Sequence, residues 1–274
     1  MKSVLRAVCC ALGLLNAGLI QADEASRIYL ELLHNSGMEA QYEQASALIV
    51  HNFRKEINAR GQRSFTPQAV NEIGREIHKA FSPGVMKAVT VAYLRGHLSE
   101  QDARRARDWT NAPLGSKIAH LDKHAGTVEG QAAIEKFAAS PDKNPMSKQQ
   151  IQLIKGIADD THAVDRVLDI SLAIQKAVAA AALAASSRDN LASLPAVFAK
   201  IDERRDELKG YFAKTVLISF LYTYQSLTID ELQRYSQFVN SPSGSNFHKT
   251  MFEAMRQATT EAALRLGLAL GKHR

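Results

Sequence analysis

One stretch of the chain occurs twice, and each copy reads as a helix, a tight turn and a second helix. Leu98-Ser99-Glu100-Gln101-Asp102 leads to Trp109-Thr110-Asn111-Ala112-Pro113-Leu114-Gly115-Ser116. Leu227-Thr228-Ile229-Asp230-Glu231 leads to Phe238-Val239-Asn240-Ser241-Pro242-Ser243-Gly244-Ser245. The offset is 129 residues without a gap, and Tyr93 matches Tyr222 at the same offset. Ser99 with Asp102, and Thr228 with Glu231, are placed to cap a helix start reciprocally, the Glu making the better box. An aromatic, Trp109 or Phe238, then anchors the short helix. Asn111 or Asn240 suits the left-handed conformation that ends a helix. Pro113 or Pro242 starts the next helix, because a first turn has no use for the N–H that proline lacks. Gly115 or Gly244 lets a neighbour approach. Such a corner is a folding device before it is a site.

The rest of the chain is punctuated in the same way. Thr66-Pro67, Ser82-Pro83, Ala112-Pro113, Ser140-Pro141 and Ser241-Pro242 all read as helix starts. Between them apolar residues recur at three and four. Phe247, Met251, Met255, Ala258, Ala262, Leu266 and Ala269 trace one face of a long helix. No alternating strand and no Asn-Gly or Asp-Gly hairpin turn is present. The spacing predicts helices near 24–36, 39–60, 67–80, 83–97, 100–111, 113–139, 147–159, 161–187, 194–224, 229–239 and 242–270. The expected fold is an all-α, multi-helix bundle built from two related halves. These are 23–126 and 147–274, joined by 127–146 around Ser140-Pro141-Asp142-Lys143-Asn144-Pro145. The small side chains of Ala177 to Ala185 suit close helix packing.

The corner pattern, hydroxylic–x–x–acid and then aromatic–x–x–small–Pro–x–Gly, resembles the domain of unknown function 2059 family. Leu32-Leu33-His34-Asn35-Ser36-Gly37-Met38 is similar to that family's opening. The resemblance covers roughly 24–124, and covers 147–255 through the second corner, as two copies in tandem would. Ala112 departs from the Ser-Pro-x-Gly found at Ser241. The resemblance implies a secreted, all-helical protein of Gram-negative bacteria. It supplies no catalytic residue.

The first 22 residues point the same way. Lys2 and Arg6 form a basic start, Val8 to Ile20 is apolar apart from Asn16, and Ile20-Gln21-Ala22 ends on a small residue. That is the layout of a cleavable signal peptide, with the cut after Ala22 and export to the periplasm. The run is too short for a spanning helix, so no transmembrane span is expected once it is removed. Cys9 and Cys10, the two cysteines of the chain, leave with it. A mature chain without cysteine has no thiolate nucleophile, no cysteine zinc site and no iron–sulfur cluster. Removing Lys2 and Arg6 from the 34 basic residues leaves 32 against 28 acidic, too weak a bias to indicate nucleic acid.

Few residues combine into chemistry. His120 and His124 lie four apart with Asp122 between them, a spacing that suits zinc, but Leu121 stands where an HExxH site needs Glu. Glu129 is the nearest guess at a third ligand. Asp159-Asp160-Thr161-His162 with Asp165 and Asp169 is the densest acidic cluster, readable as paired carboxylates or as a capped helix start on a solvated face. Arg104, Arg105, Arg107, Lys117 and Lys123 make the first corner basic, a candidate patch for phosphate, lipopolysaccharide or an acidic protein surface. Trp109 among them could stack on an Arg, or sit in the core as its match Phe238 suggests. No G-x-S-x-G elbow, P-loop or G-x-G-x-x-G occurs. The expectation is therefore a non-enzymatic protein without cofactor, binding a protein partner or envelope component through a helical surface. A metal-dependent hydrolase using His120 and His124 and an anionic-lipid binder are the alternatives. Trp109, Pro113, Gly115, Phe238, Pro242 and Gly244 are expected to be structural.

Overall fold

Pro67, Pro83, Pro113 and Pro242 open helices as the sequence predicts, whereas Ser140 ends a helix and Pro141 lies outside the described residues. The computed structural model describes residues 27–59, 66–140, 146–186 and 194–271. A helix over 27–35 (α1) is followed by α2 (Met38–Ala59), α3 (Pro67–Ala80), α4 (Pro83–His97), α5 (Glu100–Asn111), α6 (Pro113–Ala125) and α7 (Val128–Ala139). Then come α8 (Lys148–Asp160), α9 (Ala163–Ser186), α10 (Leu194–Glu203), α11 (Arg205–Tyr224), α12 (Ile229–Asn240) and α13 (Pro242–Gly271). The described residues contain no strand, and none of their helices is long and apolar enough to cross a membrane. The fold is all-α. The expected signal segment 1–22 and the core of the expected junction, 141–145, lie outside the described residues.

Helix α13 organises the whole. Its apolar face packs on α3, α4 and α5 from one side and on α9 from the other. Phe247, Met251, Ala254, Ala258 and Ala262 join Leu32, Leu33, Ile77, Met86 and Leu94 in one core cluster. The small residues of this face let α9 lie close, with Leu168, Leu172 and Ala177 buried. A second cluster holds Leu114 and Ile118 of α6, Ile154 and Ile157 of α8, Leu227, and Leu232, Tyr235 and Val239 of α12. Phe238 is half-buried and packs on both clusters. The core therefore crosses between residues 23–126 and 147–274, because α13 of the later segment completes the core of the earlier one.

The two corners share their turn. Ala112 and Ser241 have φ/ψ of −69°/153° and −70°/151°. Each donates its N–H three residues back, to Trp109 O and Phe238 O, both at 3.0 Å. The helix ends in this extended residue, which the following proline favours. The expected left-handed Asn111 and Asn240 do not occur: His162 has the only positive φ among described non-glycine residues. The glycines also differ from expectation. A Cβ at Gly115 would overlap the Trp109 carbonyl oxygen, and one at Gly244 the Phe238 carbonyl oxygen. What each glycine admits is its own corner's preceding helix, not a distant neighbour.

A third corner went unseen in the sequence. The expected helix 113–139 breaks between α6 and α7, where Thr127 (φ/ψ −81°/163°) takes the place of Ala112 or Ser241. Its N–H reaches His124 O at 3.0 Å, and its hydroxyl donates to the same oxygen at 2.9 Å. Ser241 Oγ does the same to Phe238 O at 2.7 Å. A Cβ on Gly130 would overlap the His124 carbonyl oxygen. Val128 stands where the other corners have proline, so the punctuation mark is missing while the geometry is kept. The expected helix 194–224 also divides, at Arg204 (φ/ψ −82°/0°). The break lets both sides reach α9: Asp202 accepts from Lys176 and Arg205 donates to Asp169, each at 2.7 Å.

Candidate functional site

The two corners meet face to face. Trp109 and Phe238 stack with ring centroids 4.4 Å apart and planes 8° from parallel. Around them the polar contacts are exchanged. Asn246 at the start of α13 donates to Asp102 of α5 at 3.0 Å. Lys117, its counterpart in α6, donates to Glu231 of α12 at 2.7 Å. Reciprocal contacts of this kind are what a two-fold arrangement of two like units produces. The caps differ accordingly. Thr228 and Glu231 form a complete capping box, whereas Asp102 sends its carboxylate to Ser243 (2.6 Å) and Asn246. These bonds, with Ser99 and Arg105 nearby, hold the Asp102 carboxyl below the usual range.

Beneath the stacked pair lies a cleft of about 330 Å³. Trp109, Gly115, Ile118 and Ala119 line it from the first corner, and Tyr235 and Phe238 from the second. Phe220 and Tyr224 of α11, with Phe247, His248, Met251, Phe252 and Met255 of α13, complete most of the wall. The size falls near the lower end of the roughly 300–1,000 Å³ of small-molecule pockets, and a mostly apolar wall with a few polar groups is their usual make-up.

Several ionisable groups in this wall are far from their ordinary state. Asp122 accepts a hydrogen bond from Tyr224 Oη at 2.8 Å. Desolvation raises its carboxyl to about 6, more than the Tyr224 bond lowers it. The residue keeps some solvent access, yet protein surrounds the carboxyl itself. Burial also pushes the Tyr224 hydroxyl well up, with the Asp122 charge beside it adding to the effect, and Tyr235 rises for the same two reasons. His248 sits among the rings of Tyr235, Phe238 and Phe247. Desolvation and the neighbouring Arg166 charge lower it to about 4, so it is neutral at pH 7. Its Nε2 and Arg166 Nη1 are buried without a hydrogen-bond partner. The Arg166 guanidinium lies over the Phe252 ring, 4.7 Å from its centroid.

The residues singled out in the sequence fare differently. Trp109, Gly115 and Phe238 line the cleft, so they shape a site as well as a corner; Pro113 and Pro242 only open helices. Trp109 stacks on Phe238 and not on an arginine of the basic patch. His120 and His124 are exposed while Asp122 points inward, as residues two apart on a helix must. His124 Nε2 lies 3.5 Å from Tyr222 Oη. No group of three His, Cys, Asp or Glu among the described residues is placed to hold a metal, Glu129 included.

The basic patch is largely neutralised. Arg104 pairs with Glu100, Arg107 with Asp108 and, at 3.9 Å, with Glu31, and Lys117 with Glu231. Arg105 donates to Ser243 at 3.3 Å, while Lys123 is exposed. The acidic cluster is likewise engaged: Asp160 accepts from Asn240, Asp165 pairs with Lys209 at 2.6 Å and Asp169 with Arg205. Thr161 ends α8 rather than capping α9. Sequence reasoning missed His248, Tyr224 and Tyr235, and treated Asp122 only as a spacer. A signal existed for one of them: His248, Phe252 and Met255 keep a spacing of four and three along α13.

Comparison with protein-family models, curated proteins and solved structures finds no match to this chain.

Proposed function

We propose that this chain is a non-enzymatic binding protein of the bacterial envelope, taking a small envelope component into the cleft between its corners. The cleft carries the reading. It is large enough for a small molecule, its wall is mostly apolar, and the polar side chains in that wall include Asp122, Tyr224 and His248. A catalytic reading has less support. No serine or threonine hydroxyl of the wall is hydrogen-bonded to a histidine among the described residues, and the hydroxyls of Ser36, Thr110 and Thr161 are spent on backbone carbonyls. The lipid-surface alternative is weakened by the ion pairs that engage Arg104, Arg107 and Lys117. The envelope location rests on Lys2, Arg6 and the Val8–Ile20 run, and N-terminal sequencing of an osmotic-shock fraction should begin at Asp23.

Trp109 is the chain's single tryptophan and lines the cleft, so it reports occupancy directly. The neutral amphiphile N-phenyl-1-naphthylamine should change Trp109 emission saturably in the full chain. Ala119→Phe, which fills the cleft from α6, should abolish the change while leaving the helical circular dichroism intact. Absence of saturable binding, or equal binding to the filled variant, overturns the cleft as the site.

A further inference from the structure

Given that the cleft is the binding site, its electrostatics restrict what it takes. Among the described residues Asp122 is the only acid in its wall, and no lysine or arginine belongs to the wall. The remaining ionisable side chain of ordinary pH, His248, is uncharged at neutrality. The bond that Asp122 receives is from a neutral phenol, Tyr224. A carboxylate held in apolar surroundings with one neutral donor is poorly compensated, since a desolvated charge is costly unless paired with an opposite one. Phe220 and Tyr235 pack edge-on against the Tyr224 ring, and Trp109 and Phe238 line the same cleft. Aromatic faces attract cations and repel anions. From this juxtaposition, and resting on the cleft as the binding site, we infer that the cleft binds a small amphipathic organic amine, its ammonium on the Asp122 carboxylate and its apolar body among the aromatic rings of the two corners. The ammonium supplies the opposite charge that no residue of the wall provides. The unpartnered Nε2 of His248 is left for a polar group on the body of the ligand.

The test is a matched series of probes of equal shape and different charge, read by Trp109 emission in the full chain at pH 8. The probes are 4-phenylbutylamine, 4-phenylbutan-1-ol and 4-phenylbutyrate. The amine should bind about tenfold or more tighter than the alcohol, the scale of pairing a desolvated carboxylate with a cation instead of a neutral hydroxyl donor, and the carboxylate weakest. Asp122→Asn should bring the amine down to the alcohol while leaving the alcohol unchanged. Equal binding of amine and alcohol to the wild type removes the charge assignment but leaves the cleft as a binding site. Tightest binding by the carboxylate, lost in His248→Phe, would make this an anion site built on His248 and Arg166 and overturn the inference. Failure of all three probes to bind saturably removes both readings. The wild-type comparison decides the charge even if Asp122→Asn does not fold.

Discussion

Trp109 and Phe238 are the same residue of two copies of one corner, and they stack on each other at 4.4 Å. An aromatic that anchors a lone helix needs only some core to enter; here each anchor's partner is its own counterpart. The pair thus joins the two clusters and roofs the cleft at once. Because Phe238 is half-buried, Phe238→Ala should cost about 2–3 kcal/mol, below the 3–5 kcal/mol of a fully enclosed phenylalanine. Denaturant unfolding measures the loss. Trp109 emission in the folded variant should shift to the red as its stacked face meets water. A variant as stable as the wild type would show that the stack carries no energy.

The glycines separate corner from helix. Gly115→Ala and Gly244→Ala drive a methyl into a backbone carbonyl that cannot move without opening the turn. Gly156 and Gly210 lie within α8 and α11 with nothing within 4 Å of an added Cβ. Alanine at either of these should stabilise by about 0.5–1 kcal/mol, the ordinary helix preference over glycine. The corner variants should lower Tm clearly while the helix variants raise it slightly. Loss of stability at all four positions alike would contradict the local origin of the clash.

The third corner makes a sharper prediction. Val128 occupies the first position of α7, the preceding Thr127 is extended, and the Val128 N–H is free of any backbone bond seen at the turn. Val128→Pro should therefore leave stability unchanged or raise it by up to about 1 kcal/mol, through a stiffer unfolded chain. Within a continuous helix over 113–139 the same change would cost about 3 kcal/mol or more. Thermal unfolding of this one variant distinguishes the two structures.

How much of this was readable in the residues is clear from the same corner. Pro113 and Pro242 announced their helix starts because proline marks the backbone itself, and the spacing of Phe247 to Leu266 announced the face of α13 that is buried. Thr127-Val128 keeps the turn without proline, and the signal left in the letters, Gly126 followed by the N-cap Thr127, is weaker than a proline. The site was harder still. The offset of 129 residues says that the corners are alike but not that they face each other, since which patches meet is decided by the packing of α13. Asp122 between two histidines drew the eye to its exposed neighbours, whereas helical geometry turned it inward.

Asp122 should make stability depend on pH in one direction. Its carboxyl titrates near 6 in the fold and near 3.8 in the unfolded chain. Between those values the folded state keeps a proton that the unfolded state has released, so stability falls as pH rises from about 4 to about 6. Asp122→Asn removes the titration. The Tm of the variant relative to wild type should therefore be higher at pH 7 than at pH 4. A difference that is flat across this range would show that the carboxyl is not desolvated.

His248 acts with the opposite sign across nearly the same window. Its ring titrates near 4 in the fold against 6.5 in the unfolded chain. As pH falls from about 6.5 to about 4 the unfolded state binds a proton that the folded state refuses, and stability drops. Above that window the cost is of another kind, a buried Nε2 with no partner beside an unpartnered Arg166 Nη1. His248→Phe keeps the aromatic packing against Tyr235, Phe238 and Phe247 and removes the orphaned nitrogen. The variant should match or exceed the wild type by about 1 kcal/mol at pH 7, and its advantage should widen toward pH 4. The measurement is denaturant unfolding at three pH values with Asp122→Asn in parallel, so that the two opposed titrations are read separately. An advantage that shrinks as pH falls would mean that the ring is already protonated in the fold, held by a counter-charge that the packing around Arg166 does not supply.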